Sequence, residues 1–135
     1  MTASRTTDAE LIAAATEAID RTSDGENHTV ASAIRTAGGG IVTGVNLYHF
    51  TGGPCAELVA LANAAATGAT VETIVAIGSD GRGVLAPCGR CRQVIADYWP
   101  DAVVLMPGEP DGTPVATPIA DLLPGRYIVP GSEPV

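Results

Sequence analysis

The chain has 135 residues, 46% apolar and 16% charged, with fifteen acidic against seven basic side chains and a net charge near -8. That length suits one compact domain, and an acidic balance repels a phosphate backbone, which excludes polynucleotide as the ligand. The composition is oily for a small monomer and points to surface covered by further copies, yet no stretch is long and apolar enough to span a bilayer.

The N-terminal MTASRTTDAELIAAATEAID lacks a basic start followed by an apolar run, so the expected location is the cytoplasm. Residues 1–135 are read as a single domain, with flexible ends at 1–6 and 131–135. Thr7 and Glu10 form a capping-box pattern ahead of Leu11, Ile12, Ala15 and Ile19, whose spacing marks one face of a helix over 8–21. TVASAIRT and GIVTGVNLY follow as strands, separated by Ala37 and three glycines, and read as an antiparallel pair. After a break at residues 51–54, CAELVALANAAATG reads as an alanine-rich helix closed by Gly68 and buried on most sides. VETIVAIGS is a strand, residues 79–87 a glycine-bearing loop, and CGRCRQVIADYW a helix that must stop by Pro100. AVVLM is another strand. The Pro- and Gly-rich last third offers a fifth strand around 114–117, a short helix around 119–123 and a tail from Pro124. Strands alternating with helices after an initial hairpin predict an α/β domain, a three-layer α/β/α sandwich around a five-stranded mixed sheet.

The chemistry is concentrated in three cysteines. An odd number without a secretion signal argues against a disulfide framework. Cys88 and Cys91 lie three apart at the start of one predicted helix, and Cys55 opens another. Two thiolates on a tetrahedral zinc need be only about 3.8 Å apart, which this spacing permits. Helix starts present unpaired N–H groups and partial positive charge, which favour thiolates. Three protein ligands leave a fourth position for water, the mark of a catalytic zinc. Glu57, two residues after Cys55, sits on a different helix face and is expected to flank the metal as a proton carrier. Cys55-Ala56-Glu57 followed by Pro87-Cys88-Gly89-Arg90-Cys91 matches the pattern of zinc deaminases. Three thiolates on one zinc carry a formal charge of -1, so a neighbouring cation is expected to donate to the sulfurs. Arg90 and Arg92 both qualify, and Arg90 is preferred.

With these residues the chain resembles the cytidine deaminase superfamily, and within it the blasticidin S deaminase branch, over TGVNLYHFTGGPCAELV, IVAIGS, RGVLAPCGRCRQVIAD and LLPGRY. The resemblance implies one zinc per subunit held by Cys55, Cys88 and Cys91, Glu57 as proton shuttle, a homotetramer, and replacement of an amino group by a carbonyl on a small nucleoside or nucleobase. Ala56 and Ala86 are expected to orient the ring through their backbone. Cytidine deaminases commonly carry Asn-x-Glu on the second strand to hold ribose, whereas Asn46-Leu47-Tyr48 lacks the acid and favours the blasticidin branch. Asn46, Tyr48, Arg82, Tyr127 and Thr29 are expected on the substrate side. His28-Thr29 and Val129 depart from that branch where the non-ring part of a substrate is gripped, so other amino-substituted or damaged bases remain an alternative substrate class. Outside deaminases, a structural zinc module would need a fourth ligand. His28 or His49 could serve, although neither spacing recommends it. A redox pair at Cys88 and Cys91 would need no metal.

Overall fold

The computed structural model of the protein describes residues 6–108 and 110–131. The ends expected to be flexible therefore lie largely outside the described residues.

Helix α1 (Asp8–Thr22) begins as the capping pattern predicts: the Glu10 amide donates to the Thr7 hydroxyl at 3.1 Å, satisfying one otherwise unpaired helix-start N–H. Its buried stripe is Leu11, Ala15, Ala18 and Ile19. β1 (Val30–Thr36) and β2 (Ile41–Val45) pair antiparallel, with Ala31 opposite Val45 and Arg35 opposite Ile41. β2 stops three residues short of the expected Tyr48. At that point the Asn46 amide still donates to the Val30 carbonyl at 3.1 Å, but its side chain replaces the reciprocal acceptor, Oδ1 accepting from the amides of Thr29 at 2.7 Å and Val30 at 3.0 Å. A side-chain oxygen thus stands in for a backbone one at the next rung of the ladder.

Helix α2 (Ala56–Ala66) leads to β3 (Val71–Gly78), followed by β4 (Gly83–Leu85), α3 (Gly89–Tyr98), β5 (Val103–Met106) and β6 (Val115–Pro118). The 79–87 segment, expected as a loop, contains β4, a three-residue strand that folds back on β3 with Ala76 opposite Leu85. Positive φ at Asp80, Gly81 and Gly83 makes that reversal possible. The sheet runs β2-β1-β3-β5-β6, with β4 attached to β3 beside this path. Only the β3–β5 pair is parallel, so the sheet is mixed. The short final helix is a 3-10 turn, Ile119–Leu122, anchored by the Ile119 amide on the Ala102 carbonyl at 2.9 Å.

Strand periodicity sends alternate residues to opposite faces. Ile34, Ile74 and Val104 pack on one side with Ala60, Leu61 and Ile95 of α2 and α3; Ala33, Val75 and Leu105 pack on the other with α1. The result is the expected three-layer α/β/α arrangement. Arg35 fastens the layers, reaching Asp8 at 2.8 Å and Glu72 at 3.0 Å. Helix α2 is less enclosed than expected. Ala62, Asn63, Ala65 and Ala66 are exposed because only the Ala60, Leu61, Ala64 side meets the sheet.

One glycine sets how closely α2 approaches. A Cβ on Gly44 of β2 would lie 2.5 Å from the Ala60 nitrogen and 2.9 Å from the Val59 carbonyl carbon. The helix backbone therefore rests directly on the strand. Gly44→Ala should lower unfolding free energy by about 1–3 kcal/mol in urea denaturation, the usual cost of overpacking. Undiminished stability would contradict this close approach.

Candidate active site

Two helix starts converge. Cys55 is the N-cap of α2 and Cys88 the N-cap of α3, both with extended backbone and neither offering the oxygen acceptor of a usual cap. Cysteine is a poor substitute for Ser, Thr, Asp or Asn at this position, and forgoing a good cap costs on the order of 1 kcal/mol per helix. The sulfurs face each other instead. Cys55 Sγ is 3.7 Å from Cys88 Sγ, Cys88 Sγ is 3.5 Å from Cys91 Sγ, and all three lie within 4.8 Å of one another. Cys91 stands one turn into α3 and is buried, Cys55 is half-buried, and Cys88 is exposed.

The donor set fits zinc. Sulfurs at about 2.3 Å from a tetrahedral zinc are about 3.8 Å apart, close to the spacing found here. Electrostatics agree. Burial first, then the Glu57 charge, then the neighbouring sulfurs push the Cys91 thiol far above its ordinary range. Burial also works to raise Cys88, but hydrogen bonds with the Cys91 amide and with the sulfurs of Cys91 and Cys55 outweigh it and bring this thiol below its ordinary value. Three thiolates crowded this closely need a cation, and a divalent one relieves all three at once. Among the described residues the group holds no fourth His, Cys, Asp or Glu. His28 Nδ1 is instead 2.8 Å from the Asn46 carbonyl, and His49 Nδ1 is bonded to the Thr51 hydroxyl.

Glu57 is 6% exposed and forms part of the wall of a cleft of about 410 Å3 that also contains Cys55 and Cys88. Burial raises its carboxyl above the ordinary value, opposed by a bond from its own amide. Such a group holds a proton more readily than a surface glutamate, which suits proton transfer. Of the two arginines, Arg90 reaches the sulfurs: its Nη2 donates to Cys55 Sγ at 3.6 Å and to the Gly53 carbonyl at 3.3 Å. Arg92 is directed elsewhere, to the carbonyls of Pro87 and Leu122.

The remaining expected residues divide. Asn46, Tyr48 and Ala56 line the cleft, as do His49 and Ala86. Asn46 is nevertheless committed, since its Nδ2 donates to the Asn27 carbonyl at 3.2 Å while its oxygen holds β1. Tyr48 is 64% exposed at the mouth. Thr29, Arg82 and Tyr127 are not among the cleft walls. Arg82 turns back on its own loop, donating to the carbonyls of Ser79 and Thr29. The carbonyl of Tyr127 accepts from Gln93 at 2.8 Å and the side chain is 67% exposed. An apolar wall of Val30, Ala76 and Leu85 carried no signal in the sequence, because it depends on the β3–β4 pairing. The loop 46–54 is closed by the Leu47 amide on the Pro54 carbonyl at 3.1 Å, and Gly53 is required there, since a Cβ would fall 1.7 Å from the Leu47 oxygen.

Residues 5–106 match the family model described as the cytidine and deoxycytidylate deaminase zinc-binding region. The chain is 38% identical over 130 residues to a blasticidin-S deaminase of Bacillus cereus, covering 89% of this chain and 91% of that protein. It is 32% identical over 102 residues to a cytidine deaminase of Sporosarcina psychrophila, covering 73% and 74%. The crystal structure of cytidine deaminase from Burkholderia pseudomallei superposes with a TM-score of 0.74 at 31% identity, over 90% of this chain and 99% of that one.

Protein purified under reducing conditions should hold one zinc per chain, and Cys55→Ser, Cys88→Ser and Cys91→Ser should each release most of it, as read by metal analysis after dialysis. Protons compete with the metal for sulfur, so zinc affinity should fall as pH is lowered from about 8 to 5. Zinc retained in all three variants would remove the proposed ligand set.

Proposed function

The chain belongs to the cytidine and deoxycytidylate deaminase family, and from that premise we propose that it hydrolyses the exocyclic amino group of a cytosine-type nucleoside, with the blasticidin S class as its preferred substrate. The observation that carries this reading is the cluster of three cysteine sulfurs, two of whose residues, Cys55 and Cys88, share a cleft with the buried Glu57. Higher identity over a larger share of the chain supports the blasticidin branch over the plain cytidine branch. The cleft position held by Tyr48 supports it too, because a phenol offers ribose no carboxylate.

In this mechanism Cys55, Cys88 and Cys91 hold zinc, which makes water acidic enough to act as a nucleophile near neutral pH. Glu57 accepts the proton that water gives up and delivers it to ring nitrogen 3, so that carbon 4 becomes electrophilic. The oxygen adds at carbon 4. Glu57 then takes the proton still on that oxygen and transfers it to the amino group, which leaves as ammonia, so that the oxygen remains as the carbonyl. Its buried setting raises the carboxyl's affinity for a proton, which favours its role as proton carrier. Asn46 fixes the strand end beneath the ring, Ala56 lines the cleft beside it, and the apolar wall of Val30, Ala76 and Leu85 excludes bulk water. Arg90 offsets the surplus negative charge on the sulfurs.

The same reading takes residues 1–135 as one catalytic domain acting in the cytoplasm as a homotetramer. Exposed Leu47, Tyr48 and Phe50 around the cleft and the bare alanine face of α2 support assembly, since a monomer would leave them in water. No helix among the described residues is long and apolar enough to cross a membrane.

Glu57→Gln should keep one zinc per chain while lowering turnover about 10²- to 10⁴-fold, the usual worth of general acid–base catalysis. Full activity in that variant would exclude the mechanism. Ammonia release across blasticidin S, cytidine, deoxycytidine, cytosine, guanine and modified bases should be fastest with blasticidin S; a faster damaged or modified base would transfer the chain to a different substrate class.

A further inference from the structure

We infer that Arg92 is a positioning residue for the metal centre: its guanidinium fixes the peptide before Cys88 and ties that turn to the C-terminal 3-10 segment. The inference rests on the reading of Cys55, Cys88 and Cys91 as zinc ligands. Cys88 is the ligand most in need of such support, because it is the exposed one of the three. Arg92 holds the chain around it. Its Nε donates to the Pro87 carbonyl at 2.9 Å, the peptide before Cys88, while its backbone amide donates to the Cys88 carbonyl at 3.0 Å, the peptide after it. The amide bond is the ordinary first-turn bond of α3, so what the side chain adds is the hold on Pro87, directly before the Cys88 ligand.

The third bond runs outward. Arg92 Nη1 reaches the Leu122 carbonyl at 3.1 Å, thirty residues away, at the end of the 3-10 turn whose Ile119 is fully buried and bonded to Ala102. The ligand-bearing turn is thereby braced against the core and not only against its own helix. Among the described residues no carboxylate forms an ion pair with Arg92. A planar guanidinium suits this task, since its donors point in fixed directions towards two carbonyls at once, whereas an ammonium on a flexible stem lacks that fixed fork. The bracing acts through the backbone of Cys88 and leaves the neutralising contact to Cys55 with Arg90.

The test compares wild type, Arg92→Lys and Arg92→Ala by the rate at which zinc passes to a chromophoric chelator, alongside the thermal midpoints of metal-free and zinc-loaded protein. Loss of a group that orients a ligand typically weakens metal binding about 10- to 100-fold. Zinc should leave R92A faster by that order, and R92K should fall between it and wild type. The midpoint should drop more in the zinc-loaded than in the metal-free form, a difference that a purely structural arginine would not produce. A wild-type rate in R92K overturns the inference, including when R92A does not fold, because R92K keeps the charge and loses only the fork. Equal drops in both midpoints overturn it as well, and in either case zinc in the wild-type protein leaves the three-cysteine reading standing. Absence of zinc from wild type overturns both.

Discussion

The structure depends on bringing two helix starts together so that the caps of α2 and α3 are cysteines facing one another across less than 4 Å. Neither helix has the oxygen acceptor that a Ser or Asp cap would supply, a loss of on the order of 1 kcal/mol apiece. Metal binding offsets this many times over, because structural zinc–thiolate sites bind with about 10–16 kcal/mol at neutral pH. What looks like weak local design is a transfer of stability from the helix ends to the metal. Both partial positive ends also point at the sulfurs and lower the cost of gathering anions there.

Several unrelated-looking features serve that convergence. Gly44 lets α2 lie on β2 at backbone distance, which sets the depth of Cys55. Gly53 allows the loop before Cys55 to fold back on Leu47. β4 turns the chain after β3 so that Pro87 and Cys88 arrive beside Cys55, and Arg92 ties the peptide before Cys88 in place. Glu57 follows from the same geometry. Two residues into α2, it is carried to the interior side of the cleft, where burial raises its proton affinity.

Much of this was legible in the sequence, for identifiable reasons. The capping pair at Thr7 and Glu10, the alternation in β1 and β3 and the glycine closing α2 are local signals, and the elements they predict are present. The cysteine spacing and the neighbouring glutamate likewise state their chemistry within a few residues. What the sequence did not disclose depends on contacts between distant segments. β4 is only three residues long and is defined by its partner β3. The early end of β2 reflects the Asn46 side chain replacing a backbone acceptor. Arg82, an isolated charge in a loop, gave no hint that its donors would be spent on Ser79 and Thr29. Burial of α2 was overstated because an alanine-rich helix reads as apolar all round, while the sheet covers only one side of it in a single chain.

The central claim is a metal held by three sulfurs with one position left to solvent beside Glu57. X-ray absorption at the zinc edge measures this directly in the protein as purified. Three sulfur scatterers at about 2.3 Å and one oxygen scatterer at about 2.0 Å, unchanged when His28 and His49 are both replaced by alanine, is the predicted result. A fourth protein donor, seen as a fourth sulfur or as an imidazole signature that either histidine replacement removes, would contradict it.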